Sequence, residues 1–228
     1  YFGSSVSISG PFAIVGAIQI NGPTSVSGPG AVYVYKREGD TWSLPSKLSA
    51  ADPSNGGYFG KSVHIDGDDI IVGAQHAAVA DSFKAGAAYV FTRSVGTDTF
   101  IQQAKLTAEV IGAYDYFGWS VSIKGDMAVV GAPGRDDNGT DSGSSYLYLR
   151  TGNTWHQEFI ITASDAIEND NFGLAVATDG VNIIVGASED GVSGAAYIYP
   201  LDTGVDPAPS IAVSPAGLDF GDVETDAT

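Results

Sequence analysis

The chain has 228 residues, no cysteine, and 27 acidic against 10 basic side chains, for a formal net charge of −17 at pH 7. The absence of thiols excludes disulfide staples, thiolate metal sites and cysteine nucleophiles, and so negative a field disfavours nucleic acid and anionic lipid as partners. No apolar run approaches the ~18 residues that span a bilayer. With 43% hydrophobic residues and 30 glycines, the chain suits a turn-rich all-β fold with a sizeable core.

Phe2-Gly3 opens a pattern that recurs. A Phe-Gly pair is followed, 14 residues from the Phe, by Gly-Ala: Phe2-Gly3 with Gly16-Ala17, Phe59-Gly60 with Gly73-Ala74, Phe117-Gly118 with Gly131-Ala132, Phe172-Gly173 with Gly186-Ala187. Successive copies start 57, 58 and 55 residues apart, which marks an array of one supersecondary unit. The chain begins in mid-repeat, and residues 1–20 lack the basic start and cleavage site of a signal peptide, so any targeting segment is expected upstream.

Within each copy the first element alternates, as in Ser5-Val6-Ser7-Ile8 and Ser62-Val63-His64-Ile65, the pattern of a strand with one face in a core. A turn glycine follows: Gly10, Gly67, Gly125 and Gly180. An X-Gly pair between two strands is a hairpin signal, because a tight turn needs the positive φ that glycine adopts cheaply. The next strand, Ala13-Ile14-Val15 and its counterparts up to Ile183-Ile184-Val185, is continuously apolar and so expected to be central and buried on both faces. After a variable polar loop comes an aromatic, β-branched third strand, such as Gly86-Ala87-Ala88-Tyr89-Val90-Phe91. A fourth strand is expected over Thr41 to Leu48, Phe100 to Leu106 and Trp155 to Ile161.

Four antiparallel strands per repeat predict an all-β fold, a β-propeller built of four-stranded blades. The Phe ring, the small Gly-Ala pair and the third-strand aromatics are expected to fill the space between neighbouring blades.

The motif residues resemble the FG-GAP repeat, the blade unit of integrin α-subunit propellers and of many bacterial extracellular proteins. Phe117-Gly118-Trp119-Ser120-Val121 through Val130-Gly131-Ala132-Pro133 is the nearest copy, and the others replace the Pro with Ile18, Gln75 and Ser188. The resemblance covers residues 1–199, with copies starting near 2, 59, 117 and 172. Integrin-type repeats can carry an Asp-rich calcium loop in the first hairpin. Here that hairpin shrinks to a tight turn, too short to supply the 6–8 oxygen ligands of calcium, so the site is not carried over. Propellers of this family commonly have seven blades, so four repeats imply part of a larger propeller with blades upstream. Alternatives are a short upstream strand closing a four-bladed ring, or self-association through unpaired strand edges. Residues 200–210, rich in proline, read as a linker, and 211–228 resemble the start of a bacterial immunoglobulin-like domain.

Of the candidate sites, the loop Gly134 to Asp141 is the densest in oxygen ligands. Asp136, Asp137, Asn138 and Asp141 are candidates to hold calcium, although their spacing is not that of an EF-hand and a solvated Asp/Asn/Gly turn has the same composition. The linking loop Asp165 to Asp170 is a second acidic candidate, and Asp115 and Asp170, each two residues before a motif Phe, suggest turn caps. Asn138-Gly139-Thr140 matches a glycosylation acceptor. Neither His76 nor His156 has a nucleophile motif nearby, and His64 falls where the other copies have Ser or Ala. Trp42 and Trp155 are repeat-equivalent and expected to pack between blades, whereas Trp119 follows Phe-Gly. The expected function is a non-catalytic binding or structural module of an extracellular or cell-surface protein, acting in adhesion or surface assembly. Its partner would be an extracellular protein or a glycan. The alternatives are an ancillary propeller of a secreted polysaccharide-active hydrolase and a sugar-binding lectin.

Overall fold

The computed structural model describes residues 1–18, 28–189 and 194–201, and every regular element among them is a β-strand. Blade one holds β1 (Phe2–Ser9), β2 (Phe12–Ala17), β3 (Ala31–Glu38), β4 (Thr41–Trp42) and β5 (Ser46–Leu48). Blade two holds β6 (Ser62–Asp66), β7 (Asp69–Ala74), β8 (Ala87–Arg93) and β9 (Phe100–Leu106). Blade three holds β10 (Ser120–Lys124), β11 (Met127–Ala132), β12 (Ser144–Thr151) and β13 (Thr154–Ile161), and blade four holds β14 (Ala175–Thr178), β15 (Asn182–Ala187) and β16 (Ala195–Pro200). Each is an antiparallel sheet in chain order.

Glycine makes the first turn tight. Gly10, Gly67 and Gly125 take φ of 54° to 55° as the first of two residues between the pairs Ser9↔Phe12, Asp66↔Asp69 and Lys124↔Met127. Glycine first in a two-residue loop is the type II′ arrangement, whose twist suits the flanking strands.

The fourth strand of blade one departs from expectation. Thr41 to Leu48 splits into β4 and β5, both paired to β3. Between them Pro45 has no N–H to give the ladder, and Ser43 Oγ accepts the Lys36 N–H at 3.0 Å. In blades two and three the same strand stays whole and absorbs the irregularity as a bulge, at Val90/Phe91 and Leu147/Tyr148. At the other end, Pro200 is the last residue of β16, paired with Asn182, and the Leu201 N–H donates to Val181 O, so the strand runs into the expected linker. The rest of that linker and the immunoglobulin-like segment lie outside the described residues.

The first strands β1, β6, β10 and β14 lie against one another in order, so the sheets stack as successive blades. Three apolar layers fill the gaps. Ile14, Val32, Phe59 and Tyr89 anchor the layer between blades one and two, Phe117, Val130 and Tyr146 the next, and Phe172, Val185 and Leu147 the last. β7 and β11, covered on both faces, are buried at every residue, as expected of a central strand. In blades one and four the same strand alternates, because one face of the blade is open among the described residues. Phe2 is accordingly 62% exposed where Phe59 is 2%, and Ile184 is 41% exposed where Ile71 is 0%.

Adjacent blades meet backbone to backbone. The N–H of Phe59, Phe117 and Phe172 donates to the preceding blade, at Pro29 O, Ala85 O and Ser142 O. A Cβ placed on Gly16, Gly73 or Gly131 would collide with the carbonyl oxygen of Gly60, Gly118 or Gly173 in the next blade. The hydroxyls of Ser5, Ser62 and Ser120 donate to those same oxygens at 2.9, 3.0 and 2.7 Å. One step along, Ser7 Oγ, His64 Nδ1 and Ser122 Oγ accept the N–H of Ile65, Ile123 and Thr178. His64 is therefore a blade-to-blade acceptor, in a slot where serine does the same work.

At Gly186, by contrast, the nearest atom to an added Cβ is Ala175 Cβ at 3.5 Å, an ordinary contact. Gly73→Ala should cost about 3 kcal/mol or more, since carbonyl backbone cannot move aside as a flexible side chain can. Gly186→Ala should stay within about 0.5 kcal/mol. Urea denaturation of the two variants checks this, and equal losses would refute the packing account.

Candidate groove at the Phe-Gly end of the blades

The antiparallel pairing Ser62↔Gly73, repeated as Ser120↔Gly131 and Ala175↔Gly186, sets each Phe-Gly loop beside the end of the Gly-Ala strand. The residues flanking the two motifs therefore gather at one end of the blades. There they shape a groove of about 380 Å³, lined by Gln75 and His76 of blade two, Tyr116, Trp119 and Asp141 of blade three, and Asn171 of blade four. Pro133, Gly134 and Leu174 complete its lining.

Its walls are aromatic. His76 stacks on Tyr58 with ring centroids 4.2 Å apart and 25° between planes, and Tyr116 lies 5.5 Å beyond. Tyr116 and Trp119 stand 5.9 Å apart at 70°, making a corner. Lys61 Nζ sits 5.2 Å from the Trp119 ring centre, and Lys84 Nζ lies 5.6 and 6.0 Å from those of Tyr114 and Tyr116. Neither lysine forms an ion pair among the described residues.

The backbone around the groove is held in an unfavourable conformation. Tyr58, Tyr116 and Asn171, each directly before a motif Phe, have φ of 60°, 56° and 55°, and Asp141 has 52°. Asparagine tolerates this region, but a bulky tyrosine there costs on the order of 1 kcal/mol. Such strain persists where the surroundings over-determine it, and it clusters at binding sites.

Polar groups face the groove unequally. Gln75 is only 4% exposed, and its Oε1 has no hydrogen-bond partner among the described residues. Burial, with Asp136 and Glu168 nearby, raises the Asp141 carboxyl above its ordinary pKa. His76 is pushed down to about 4, first by burial and then by the charges of Lys84 and Lys61, so its imidazole is neutral at pH 7.

Two of the four candidate calcium ligands, Asp136 and Asp137, already accept hydrogen bonds within the protein. Asp137 Oδ1 accepts from Arg135 Nε at 2.9 Å and its Oδ2 from the Ser144 hydroxyl at 2.8 Å. Asp136 Oδ1 accepts the Asp141 N–H at 2.8 Å, and the Asn138 N–H donates to Ser142 Oγ. Arg135 also binds Asp115, 3.1 Å away, so this side chain ties the loop to the blade. No three His, Asp or Glu side chains among the described residues are placed to share a cation. The second acidic loop is likewise structural: Asp170 Oδ2 accepts the Ile167 N–H, Asp165 Oδ1 accepts from Tyr197 Oη, and Asp115 Oδ2 accepts the Gly112 N–H. Asp115 and Asp170 are thus the turn caps their positions suggested. Trp155 packs between blades, with its Nε1–H donating to Gln103 Oε1 at 3.2 Å, whereas its counterpart Trp42 is exposed.

Of the residues singled out in the sequence, Trp119, His76 and Asp141 meet in the groove, while Asp136, Asp137 and Asn138 stay on the exposed loop beside it. Tyr116, Gln75 and Asn171 carried no motif of their own. Their signal is position: they flank the invariant pairs, where the residue after the Ala differs in every copy (Ile18, Gln75, Pro133, Ser188) and the residue before the Phe is Tyr1, Tyr58 and Tyr116 but Asn171 in the fourth.

Two solution measurements follow. Because the folded His76 pKa lies below the unfolded value near 6.5, the unfolded chain binds more protons between pH 6.5 and 4, and stability must fall as pH drops through that window. For a partly exposed ring the loss should be about 1 to 2 kcal/mol, discounted for solvent screening. His76→Gln should remove that part of the slope in urea titrations run from pH 7 to 4. Calcium, with no cluster of three carboxylates or imidazoles among the described residues to receive it, should shift the melting temperature by less than about 1 °C at millimolar concentration; a larger rise would identify the loop as a metal site.

The model of the FG-GAP repeat family matches residues 1–35, 42–91, 100–148 and 155–199. No curated protein matches the chain. The second, third and fourth matched segments begin in or beside the outer strand of the preceding blade and run through the next Phe-Gly unit, so the sequence repeat bridges two neighbouring blades. With four copies of the motif and four stacked antiparallel sheets, the chain belongs to the FG-GAP repeat family as a β-propeller protein.

Proposed function

We propose that the chain is a non-catalytic recognition module of an extracellular or cell-surface protein, serving adhesion or surface assembly through the Phe-Gly end of its blades. The groove carries this reading: it is concave, aromatic, assembled from three blades, and lined by Gln75, whose buried amide oxygen has no hydrogen-bond partner among the described residues. Its histidine is neutral and sandwiched by rings, not hydrogen-bonded to a serine or a carboxylate among the described residues, which suits contact better than proton relay. An extracellular setting agrees with the cysteine-free acidic composition and with the family, whose repeats are typical of extracellular or surface proteins. No helix among the described residues is long and apolar enough to cross a membrane.

The test is an array of polysaccharides and extracellular proteins probed with the whole chain, followed by size analysis of any bound polysaccharide. Binding that Trp119→Ala and Tyr116→Ala each weaken at least about ten-fold, a loss of ~1.4 kcal/mol, with the polysaccharide left at full length, is the expected result. Shortened chains would establish a hydrolase. Binding untouched by both variants would move the site elsewhere.

A further inference from the structure

Resting on the recognition reading, one ligand class fits the groove better than the rest. We infer that it binds a ring of an acidic polysaccharide, a hexuronate, stacked in the corner of Tyr116 and Trp119 with its carboxylate toward Lys61 and Lys84. The groove's size, about 380 Å³, lies near the small end of ligand sites, which suits one or two sugar rings more than a folded partner. A pyranose has apolar C–H faces and a rim of hydroxyls. Two aromatic planes at 70° suit the faces. The rim needs short-range acceptors and donors, which the Asp141 carboxylate and the Asn171 amide supply.

Charge selects an acidic ring. In a chain of net charge −17, six of the basic side chains are held by carboxylates: Lys36, Arg93, Lys105, Lys124, Arg135 and Arg150. Among the described residues Arg37, Lys47, Lys61 and Lys84 are not, and of these four Lys61 and Lys84 lie over rings at this groove. A cation over an aromatic face keeps its donors free on the other side, and an arriving carboxylate gains charge-assisted bonds there. Asp141 opposes an anion on its own side, with Asp136 and Glu168 reinforcing it, so the ligand's orientation is set: hydroxyls toward Asp141, carboxylate toward the lysines. The His76 imidazole, uncharged at neutral pH, adds a flat wall without competing for that carboxylate.

The experiment is calorimetry of the whole chain with oligogalacturonate, oligoglucuronate and oligomannuronate, each beside its carboxyl-reduced counterpart of equal length. At least one uronide should bind about ten-fold or more tightly than its reduced form, the scale of one charged hydrogen bond, and weaken with added salt. Trp119→Ala should abolish binding of both forms. Lys61→Gln and Lys84→Gln should remove the preference yet keep the neutral oligomer bound, with urea midpoints confirming that each variant folds. The inference is overturned if no uronide binds, if the reduced oligomers bind equally well, or if the lysine variants keep the preference. Should a neutral sugar or a protein bind instead, sensitive to Trp119→Ala, this inference falls and the recognition module stands. Cleavage of the ligand, or binding indifferent to Trp119, overturns both.

Discussion

Close approach of backbone to backbone, glycine of one blade against the Phe-Gly carbonyl of the next, is the constraint on which the rest of the structure depends. Where Gly16, Gly73 and Gly131 lie, any side chain would strike a carbonyl oxygen that has no room to retreat. Their bareness lets the blades close until Ser5, Ser62 and Ser120 reach those carbonyls and the inner strands align. The hydrogen bonds are not the main source of stability, since each contributes only about 1 kcal/mol net. Burial of a Phe ring contributes about 1.5–3 kcal/mol, and Phe59, Phe117 and Phe172 each add edge contacts to two third-strand aromatics of their own blade. Glycine permits the approach, and the rings stabilise what it permits.

The same constraint creates the groove. Fixing Phe-Gly against the neighbouring blade leaves the residue before it in a left-handed conformation, at Tyr58, Tyr116 and Asn171 alike. The residues beside the invariant pairs are therefore held in place, and those after the Gly and after the Ala differ in every copy, because neither packs in the apolar layers. Four copies of one frame thus carry different side chains at equivalent points. The groove forms where blades two, three and four bring Gln75-His76, Tyr116 with Trp119, and Asn171 together. Rigid placement with variable chemistry is what recognition needs from a scaffold.

Much of the frame was legible because it repeats. The 14-residue offset fixed the hairpin, the apolar run marked the central strand, and the alternation marked the first, all of which are local properties of the chain. The broken fourth strand of blade one was less legible. Pro45 sat in plain view, but its effect depends on which β3 carbonyls and N–H groups oppose it. Acidic loops were ambiguous for a different reason. Asp137 and Asp170 have the composition of metal ligands and the job of tying down turns, and only the position of Arg135 and of the Ile167 N–H distinguishes the two. The groove was illegible as a unit because its residues come from three repeats, separated by some of the longest loops, and meet only through the stacking of blades.

Electrostatics show how local structure overrides composition here. A chain of charge −17 should favour protonated histidine, since surrounding carboxylates stabilise the imidazolium. His76 goes the other way, to about 4, because the acidic field is screened over roughly 10 Å while burial and two lysines act at close range. His64 is also lowered, by burial first, and its Nδ1 serves as an acceptor between blades. The acids of this protein are mostly engaged at the surface and in turns, where Asp68, Asp69, Asp115 and Asp126 hold Arg93, Arg135 and Arg150. Among the described residues Arg37, Lys47, Lys61 and Lys84 stand outside any ion pair, and of these Lys61 and Lys84 lie over aromatic rings at the groove. The groove is thereby mixed in charge, with Asp141 in its lining and two lysines over its rings, and long-range repulsion of an acidic ligand, being screened by salt, weighs less at contact than the charges that stand closest.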